Sequence, residues 1–108
     1  QIETISAKML DYYVERSDAV IIDLRDPKKK KKGHVRNAVN IPYHELEEYL
    51  EKKQDQRYQF PKDKILILYC DRGGASMQAA RSLARAGCRT RSVIGGFAAY
   101  RGRNLVSG

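Results

Sequence analysis

The stretch Lys64-Ile65-Leu66-Ile67-Leu68-Tyr69-Cys70-Asp71-Arg72-Gly73-Gly74-Ala75-Ser76 decides the fold of this chain. Its first part, Lys64–Tyr69, is the most hydrophobic segment of the sequence, and a continuous apolar run is typical of a strand covered on both faces of a parallel sheet. A glycine-bearing loop follows at Cys70–Ala75, and a helical pattern then covers about Ser76–Ala86, closed by Gly87. We therefore predict a central strand that turns sharply into a helix at Cys70.

Helices and strands alternate on both sides of this stretch. The remaining predicted elements are a helix over about Ala7–Arg16 that Ser6 can cap, a strand at Ala19–Leu24, a polar loop at Arg25–Gly33, a short strand at Ala38–Ile41, a helix over about Tyr43–Lys53, a polar connection at Gln54–Lys62, a strand at Arg89–Ile94 and a short helix within Gly95–Tyr100. This alternation predicts an α/β fold with right-handed crossovers and a parallel sheet that has helices on both faces. Ligands of such sheets bind beyond the carboxyl ends of strands, where Cys70 lies.

Length and composition limit the class of protein. The 108 residues suit one compact domain, residues 1–108, that can bury a core without disulfides or metals. Because the chain begins at Gln1 rather than Met, we expect a trimmed chain or a piece of a longer protein. Polar residues interrupt Ile2–Ala7, and no apolar run approaches the ~20 residues that span a bilayer. We therefore predict no signal peptide, no membrane contact and a cytoplasmic location.

The net charge of +8 favours anionic ligands or partners. It comes from the run Lys28–Lys32 and from the arginines of the C-terminal third. No aromatic-rich signature interleaves with these charges, so we predict no nucleic-acid partner. The lysine run is expected to be a solvated loop, with a docking surface for an acidic partner as the alternative. We expect the domain to be a monomer.

Cys70 has the surroundings of a nucleophile. Gly73 and Gly74 allow the loop backbone angles that other residues avoid, so that successive N–H groups can form an anion-binding concavity. The start of the following helix adds partial positive charge, and Arg72 adds a mobile cation. These features favour the thiolate form of the sulfur. The alternative is a buried thiol that merely ends a core strand, which is our interpretation of Cys88.

Other chemistries find less support in the sequence. Without a secretory signal, both cysteines are expected to be reduced, and His34 and His44 are not at metal-ligand spacing from them, so we expect no metal and no cofactor. A Walker A loop is absent. A tyrosine-phosphatase loop would need arginine at position 76, where Ser76 stands, and without it the bidentate phosphate clamp is missing.

The chain resembles the rhodanese-like proteins, a family of single-domain sulfurtransferases. The matching segments are Asp23–Pro27, Gly33–Pro42, Leu68–Ser76 and Gly95–Tyr100. The resemblance implies a five-stranded parallel sheet flanked by helices. It also implies that Cys70 takes sulfane sulfur from a small anionic donor such as thiosulfate, becomes a persulfide, and passes the outer sulfur to cyanide, a thiol or a sulfur-relay acceptor protein. The six-residue loop suits sulfur transfer, whereas phosphatase and arsenate-reductase relatives carry a longer one.

The remaining site residues follow from the loop and its neighbours. We expect Cys70 to be catalytic and the donor to be bound by Asp71, Arg72, Gly73, Gly74, Ala75 and Ser76. Ser76 either caps its helix or bonds the persulfide, and capping is the favoured interpretation. Asp23 and Arg25 are predicted to brace loops near the site, and His34 to anchor a turn by hydrogen bonding.

The chain departs from the family pattern in three respects. Many relatives have arginine at Ala75 and Trp at Tyr100, and acidic or aromatic residues are common at Lys29 and Lys30. Arg72 is therefore the one cation of the loop, which leaves the substrate preference open. The alternatives to a sulfurtransferase are a phosphatase or arsenate reductase on the same fold, and a non-catalytic interaction domain.

Overall fold

A computed structural model describes residues 2–52 and 60–108. The strands are β1 (Thr4–Ile5), β2 (Ala19–Asp23), β3 (His34–Val35), β4 (Val39–Asn40), β5 (Ile65–Tyr69), β6 (Arg89–Val93) and β7 (Leu105–Val106). The α-helices are α1 (Leu10–Val14), α2 (Pro27–Lys32), α3 (Tyr43–Lys52) and α4 (Gly74–Arg85), and short 3₁₀ segments lie at Ala7–Met9 and Phe97–Ala99.

Five of the strands form one parallel sheet in the order β1-β6-β5-β2-β4. The most apolar strand, β5, lies in the middle, where Ile67 pairs with Ile21 of β2 and Arg91 of β6. The predicted α/β class, the five-stranded parallel sheet and its central strand are confirmed. Strands β3 and β7 form a separate antiparallel pair.

Helices cover both faces of the sheet, as predicted. Because side chains alternate along a strand, Leu66 and Leu68 of β5 face one side and Ile67 and Tyr69 face the other. The first side packs against α3 and α4 through Leu46, Ala79, Ala80 and Leu83. The second packs against α1, Val35, Val93 and Tyr100. All these side chains are buried, which fixes β5 and the residue that follows it in the centre of the domain.

Tyr100 closes the α1 side of the core with a polar contact. Its hydroxyl donates to Asp11 Oδ1 at 2.5 Å and accepts from the Asn104 amide at 2.8 Å. Burial and the hydrogen bond to Asp11 raise the pKa of Tyr100 from 10.0 to about 12. Burial is the largest single effect on Asp11 and raises its pKa, but the hydrogen bonds from Tyr100, Asn104 and the Arg103 amide, with the charge of Arg103, together lower the pKa below its usual value.

The prediction of a loop over Arg25–Gly33 is wrong, because Pro27–Lys32 forms α2. Proline stands in the first turn, where its missing N–H costs nothing, and the amides of Lys29 and Lys30 donate to the Asp26 carbonyl. The side chains of the same two lysines reach Asp71 and the Gly108 carbonyl. These tertiary contacts offset the repulsion between like charges.

Other element boundaries also differ from the predictions. Ser6 makes no side-chain cap, the helical segment after it ends at Val14, and α4 begins at Gly74 rather than Ser76. The two-residue strands β1, β3 and β7 were not predicted. The end of the helix predicted to Lys53 and most of the connection predicted at Gln54–Lys62 lie outside the described residues. No helix within the described ranges is long and apolar enough to cross a membrane.

Candidate active site

Cys70 lies immediately after β5, at the carboxyl edge of the middle of the sheet. The residue is 6% exposed, so only a small part of it reaches solvent. Its sulfur accepts hydrogen bonds from the Gly73 amide at 3.1 Å and from the Ser76 amide at 3.3 Å. Backbone donors that point at a thiol stabilise its negatively charged form.

Gly73 allows the loop to direct its amides at the Cys70 sulfur. Its φ of 111° lies in the left-handed region, and an added Cβ would stand 3.4 Å from the Gly95 amide nitrogen. The turn brings the start of α4 to the sulfur. The prediction of the same unusual backbone at Gly74 is wrong. The φ of Gly74 is not positive, and an added Cβ there would meet no atom within 4 Å.

Further donors lie on the same loop. Within residues 2–52 and 60–108, no acceptor bonds the amides of Arg72, Gly74 and Ala75. The last two belong to the first turn of α4, whose N–H groups have no partner inside the helix. Together with the helix dipole, they favour an anion beside Cys70.

A neighbouring turn holds the loop from behind. The amide of Phe97 donates to the Cys70 carbonyl at 2.8 Å, and the amide of Ala98 donates to the Asp71 carbonyl at 3.1 Å. Gly96 makes this approach possible, since a Cβ there would stand 2.5 Å from the Cys70 carbonyl oxygen and 2.7 Å from the Arg72 nitrogen. The carbonyl groups of the loop are thus engaged on one side, while its free amides remain available for a ligand.

Ser76 contributes its backbone rather than its hydroxyl. The side chain is fully buried, donates to the Gly73 carbonyl at 3.1 Å and bonds the Ser92 hydroxyl of β6 at 2.7 Å. The prediction that Ser76 caps its helix is wrong, since the residue at the cap is Gly73, which has no side chain to do so. The hydroxyl pair instead joins the start of α4 to the sheet.

Asp23 and Arg25 lie together beneath the site. Asp23 is fully buried at the end of β2, and its carboxylate accepts from Arg25 Nη2 at 2.8 Å and from the Tyr69 hydroxyl at 2.7 Å. Burial is the largest single effect on Arg25 and lowers its pKa, but the hydrogen bond and the charge of Asp23, with the charges of Tyr69 and Asp71, together raise the pKa above its usual value. Burial and the nearby carboxylate also raise the pKa of Tyr69. Removing one member of a buried pair leaves an uncompensated charge, at a cost of ~3–5 kcal/mol.

The Arg25 guanidinium extends this contact toward the loop. It donates to the Gly33 carbonyl at 2.6 Å, and its carbon lies 4.0 Å from the centre of the Phe97 ring. The Phe97 amide in turn bonds Cys70. His34 is predicted to anchor its own turn by hydrogen bonding, and its Nδ1 lies 3.0 Å from the Lys30 carbonyl oxygen. Because a carbonyl oxygen only accepts hydrogen bonds, Nδ1 carries a proton and donates.

Two charged side chains stand at the outer rim. Arg72 is exposed and makes no hydrogen bond or ion pair within the described residues. Asp71, predicted to bind the donor, directs its carboxylate to Lys29 of α2, with Oδ2 3.0 Å from Nζ. Arg72 is therefore available to an anionic ligand, whereas Asp71 links the loop to the lysine helix.

A family model for the rhodanese-like domain matches residues 6–103. The chain belongs to the rhodanese-like family. Thiosulfate sulfurtransferase GlpE of Coxiella burnetii is 32% identical to the domain over 95 residues, which are 87% of this chain and 82% of that protein. Relatives of this kind place the rhodanese-like domain in a sulfurtransferase family.

Solved structures share its fold. The rhodanese-like domain protein of Staphylococcus aureus is 23% identical and matches with a TM-score of 0.80 over 99% of both chains. The reduced CoADR-RHD protein of Bacillus anthracis is 32% identical, with a TM-score of 0.75 over 89% of this chain and 16% of that one.

Cys88 of the rhodanese-like domain differs from Cys70 in its surroundings. It follows the left-handed Gly87, and its amide donates to the Leu83 carbonyl at the end of α4. Burial raises the pKa of its thiol, and the charge of Lys62 offsets only part of that effect. Both cysteines are free, and no group of three or more His, Cys, Asp or Glu side chains in the described part of the chain could hold a metal ion.

Several residues that shape the site belong to no predicted site in the sequence. Gly96 and Phe97 support the loop, Tyr69 holds Asp23, and Ser92 holds Ser76. The contact between Tyr69 and Asp23 could have been predicted, because these residues end the two long apolar strands, which are neighbours in the sheet and pair in register at these positions. The Gly-Gly-Phe sequence marked a turn but not which loop it approaches.

Proposed function

We propose that this rhodanese-like domain transfers sulfane sulfur from an anionic donor such as thiosulfate to a thiophilic acceptor, with Cys70 as the carrier. The observation that supports the proposal best is the pair of amide hydrogen bonds to the Cys70 sulfur, from Gly73 and Ser76. They stabilise a thiolate, and the free amides next to them supply donors for the anion that the reaction brings in.

In the donor step, the Cys70 thiolate attacks the outer sulfur of thiosulfate. A new sulfur–sulfur bond forms on Cys70, the sulfur–sulfur bond of thiosulfate breaks, and its electron pair leaves with sulfite. The charge is conserved, since a thiolate and a dianion become a persulfide anion and a dianion. Arg72, which is exposed and has no partner among residues 2–52 and 60–108, attracts the donor and holds its oxygen atoms, which makes it a binding residue.

In the resting persulfide, the outer sulfur carries the negative charge. The amides of Gly74 and Ala75, in the first turn of α4, are the free donors that stabilise it. The step needs no general base when the attacking group is a thiolate. The acceptor then attacks the outer sulfur and returns the electron pair of the bond to Cys70.

The competing functions find less support. A phosphatase or arsenate reductase needs a guanidinium clamp around the oxyanion, and the fully buried Ser76, bonded to Ser92, occupies the position of the signature arginine. A non-catalytic interaction domain would have no use for a cysteine sulfur held by two amides. We therefore place sulfur transfer first.

Mass spectrometry of the protein after thiosulfate treatment tests the proposal. We expect the mass of one added sulfur on the peptide that contains Cys70, and its loss after cyanide treatment with release of thiocyanate. Cys70→Ser should acquire no sulfur, whereas Cys88→Ser should match the wild type. An unmodified Cys70, or sulfur on Cys88 alone, would contradict the proposed function.

A further inference from the structure

Two buried hydroxyl groups lie next to the loop that carries Cys70. Ser92 of β6 is 1% exposed, Ser76 of α4 is fully buried, and their oxygen atoms are 2.7 Å apart. The Ser76 hydroxyl also donates to the Gly73 carbonyl at 3.1 Å. Because a hydroxyl has one proton to donate, the proton between the two serines comes from Ser92. Ser92 therefore begins a directed chain of hydrogen bonds that ends on the Gly73 carbonyl.

This chain joins the two residues that donate to the Cys70 sulfur. The amides of Gly73 and Ser76 lie 3.1 and 3.3 Å from the sulfur, and the Ser76 hydroxyl bonds the Gly73 carbonyl. Gly73 has no side chain that could hold its left-handed φ of 111°, and glycine moves readily among many backbone conformations. A contact from outside the loop restricts this freedom, and the contact comes from Ser92.

The sheet provides firm support for that contact. Strand β6 lies between β1 and β5, and Ser92 pairs with Thr4 on one side and with Leu68 on the other. The Ser92 amide also donates to the Glu3 carbonyl at 3.0 Å. Cys70 follows Leu68 by two residues. Two hydrogen-bonded neighbouring strands therefore carry the sulfur and the hydroxyl that orients its donors.

The same chain acts on one of the free amides of the loop. The Gly73 carbonyl and the Gly74 N–H belong to one peptide group, and the carbonyl accepts from the Ser76 hydroxyl and from the Met77 amide at 3.3 Å. Hydrogen bonds in a chain polarise one another, which makes the Gly74 N–H a better donor. Ser92 thereby strengthens an amide that faces the anion in the proposed reaction.

We propose that Ser92 is a positioning residue for the Cys70 sulfur. Its hydroxyl holds Ser76 and, through Ser76, the Gly73 peptide, so that both amides stay directed at the sulfur. Each hydroxyl keeps its own proton, so the chain supplies orientation and neither an acid nor a base. The role of Ser92 in sulfur transfer rests on the proposed function, whereas its effect on the reactivity of the Cys70 thiol does not.

Alkylation of Cys70 by iodoacetamide tests the positioning role, in a Cys88→Ser background that leaves one thiol. Ser92→Ala removes the hydroxyl, and we expect Cys70 to react about fivefold more slowly at neutral pH, which corresponds to ~1 kcal/mol and to the net contribution of one hydrogen bond. The amide proton signals of Gly73 and Ser76 in NMR spectra should shift in the same variant. Ser92→Thr keeps the hydroxyl and should restore the rate of alkylation.

Thr90→Val is the matched control. Thr90 lies two residues before Ser92 on the same face of β6, and its buried hydroxyl donates at 3.3 Å to the carbonyl of Ala80, four residues after Ser76 on α4. The control thus removes a hydroxyl contact between the same strand and the same helix, away from the loop. It should lower the stability measured by urea denaturation and leave the alkylation rate of Cys70 unchanged. Equal slowing in Thr90→Val and Ser92→Ala, or an unchanged rate in Ser92→Ala, would overturn the inference.

Ser76→Ala tests the chain from its middle, and it keeps the Ser76 amide that bonds the sulfur. We expect it to slow alkylation about as much as Ser92→Ala does. The double variant should be no slower than the slower single variant, because both substitutions break one chain. Additive effects would show that Ser92 does not act through Ser76. If Ser92→Ala fails to fold, Ser76→Ala decides the question, and an unchanged rate there would count against the chain.

Sulfur uptake from thiosulfate distinguishes failure of this role from failure of the proposed function. We expect Ser92→Ala to slow uptake by a factor similar to that for alkylation. If the wild type acquires no sulfur but Ser92→Ala still slows alkylation, the positioning role is supported and the proposed function is refuted. If the wild type acquires sulfur and Ser92→Ala matches it in both reactions, the positioning role alone is refuted.

Discussion

Replacing Gly96 by alanine should disrupt both the fold and the chemistry of the loop. The added Cβ would stand 2.5 Å from the Cys70 carbonyl oxygen and 2.7 Å from both the Arg72 nitrogen and the Asp71 carbonyl carbon. All three contacts are backbone atoms, so no flexible side chain can move aside. Gly96 also has φ 61° and ψ −156°, a conformation that only glycine adopts readily.

The magnitude follows from these two effects. The backbone conformation costs ~1–3 kcal/mol for a residue with a Cβ. Forcing the loop and the turn apart costs a further ~1–3 kcal/mol, as overpacking does elsewhere. We therefore expect Gly96→Ala to lower the free energy of unfolding by ~2–6 kcal/mol, a large fraction of the ~5–15 kcal/mol of a typical domain. The displaced loop should also lose the Phe97 hydrogen bond to Cys70, and sulfur uptake with it.

Urea denaturation followed by circular dichroism measures the stability, and mass spectrometry measures the rate of sulfur uptake. Gly74→Ala is the matched control, since a Cβ at Gly74 meets nothing within 4 Å and the backbone is compatible with alanine. That variant should be unchanged or more stable by ~0.4–1 kcal/mol. If Gly96→Ala unfolded within ~0.5 kcal/mol of the wild type, a value typical of unconstrained surface positions, the turn would not hold the loop as described.

Three further predictions address the thiols, the loop cation and the pH dependence of stability. Cys70 should be alkylated faster than Cys88 in the folded protein, because backbone amides bond the Cys70 sulfur whereas burial raises the pKa of Cys88, and faster reaction of Cys88 would contradict the amide arrangement. Arg72→Ala should lower kcat/KM for thiosulfate about tenfold, which is the lower end for a charge-assisted hydrogen bond because the side chain is exposed. The rate of cyanide attack on the preformed persulfide should stay nearly unchanged. A rate of the thiosulfate step within twofold of the wild type would exclude a clamping role for Arg72. Because the folded pKa of Tyr100 is raised from 10.0 to about 12, its contribution to stability is complete below pH 10 and is lost as the pH rises toward 12. Tyr100→Phe should show a smaller decrease over this window in pH-dependent unfolding, and an identical slope would refute the assignment.

The sequence predicts those parts of the fold that long apolar runs specify. Ala19–Leu24 and Lys64–Tyr69 are apolar enough to be recognised as buried parallel strands, and their alternation with helices specifies the class. The position of Cys70 follows directly, because a residue after a buried strand and before a helix must lie at the carboxyl edge. Gly87 ends α4 as predicted, with a left-handed φ of 96°.

Tertiary contacts decide what the sequence could not. Five consecutive lysines oppose a helix by local repulsion, yet α2 forms, and two of its lysines make contacts that the local sequence does not reveal: Lys29 bonds Asp71, 42 residues away, and Lys30 bonds Gly108, 78 residues away. Strands of two residues such as β3 and β7 are too short to show periodicity. At the site, Ser76 looked like a cap because its hydroxyl could serve one, but that hydroxyl is engaged by Ser92 of a different strand.

The engagement of the loop carbonyls by Phe97 and Ala98 divides the site into two parts that can vary separately. The part that we propose to bind the anion consists of main-chain groups fixed by glycines and by a neighbouring turn, and the side chains at positions 71 and 72 are exposed. Substitutions at position 72 are therefore expected to change the preference for the proposed anionic donor while the Cys70 sulfur and its amide donors stay in place, whereas substitutions at position 71 would break the contact with Lys29. For protein engineering, this makes residue 72 the natural position for a specificity library, and Gly73 and Gly96 positions to leave unchanged.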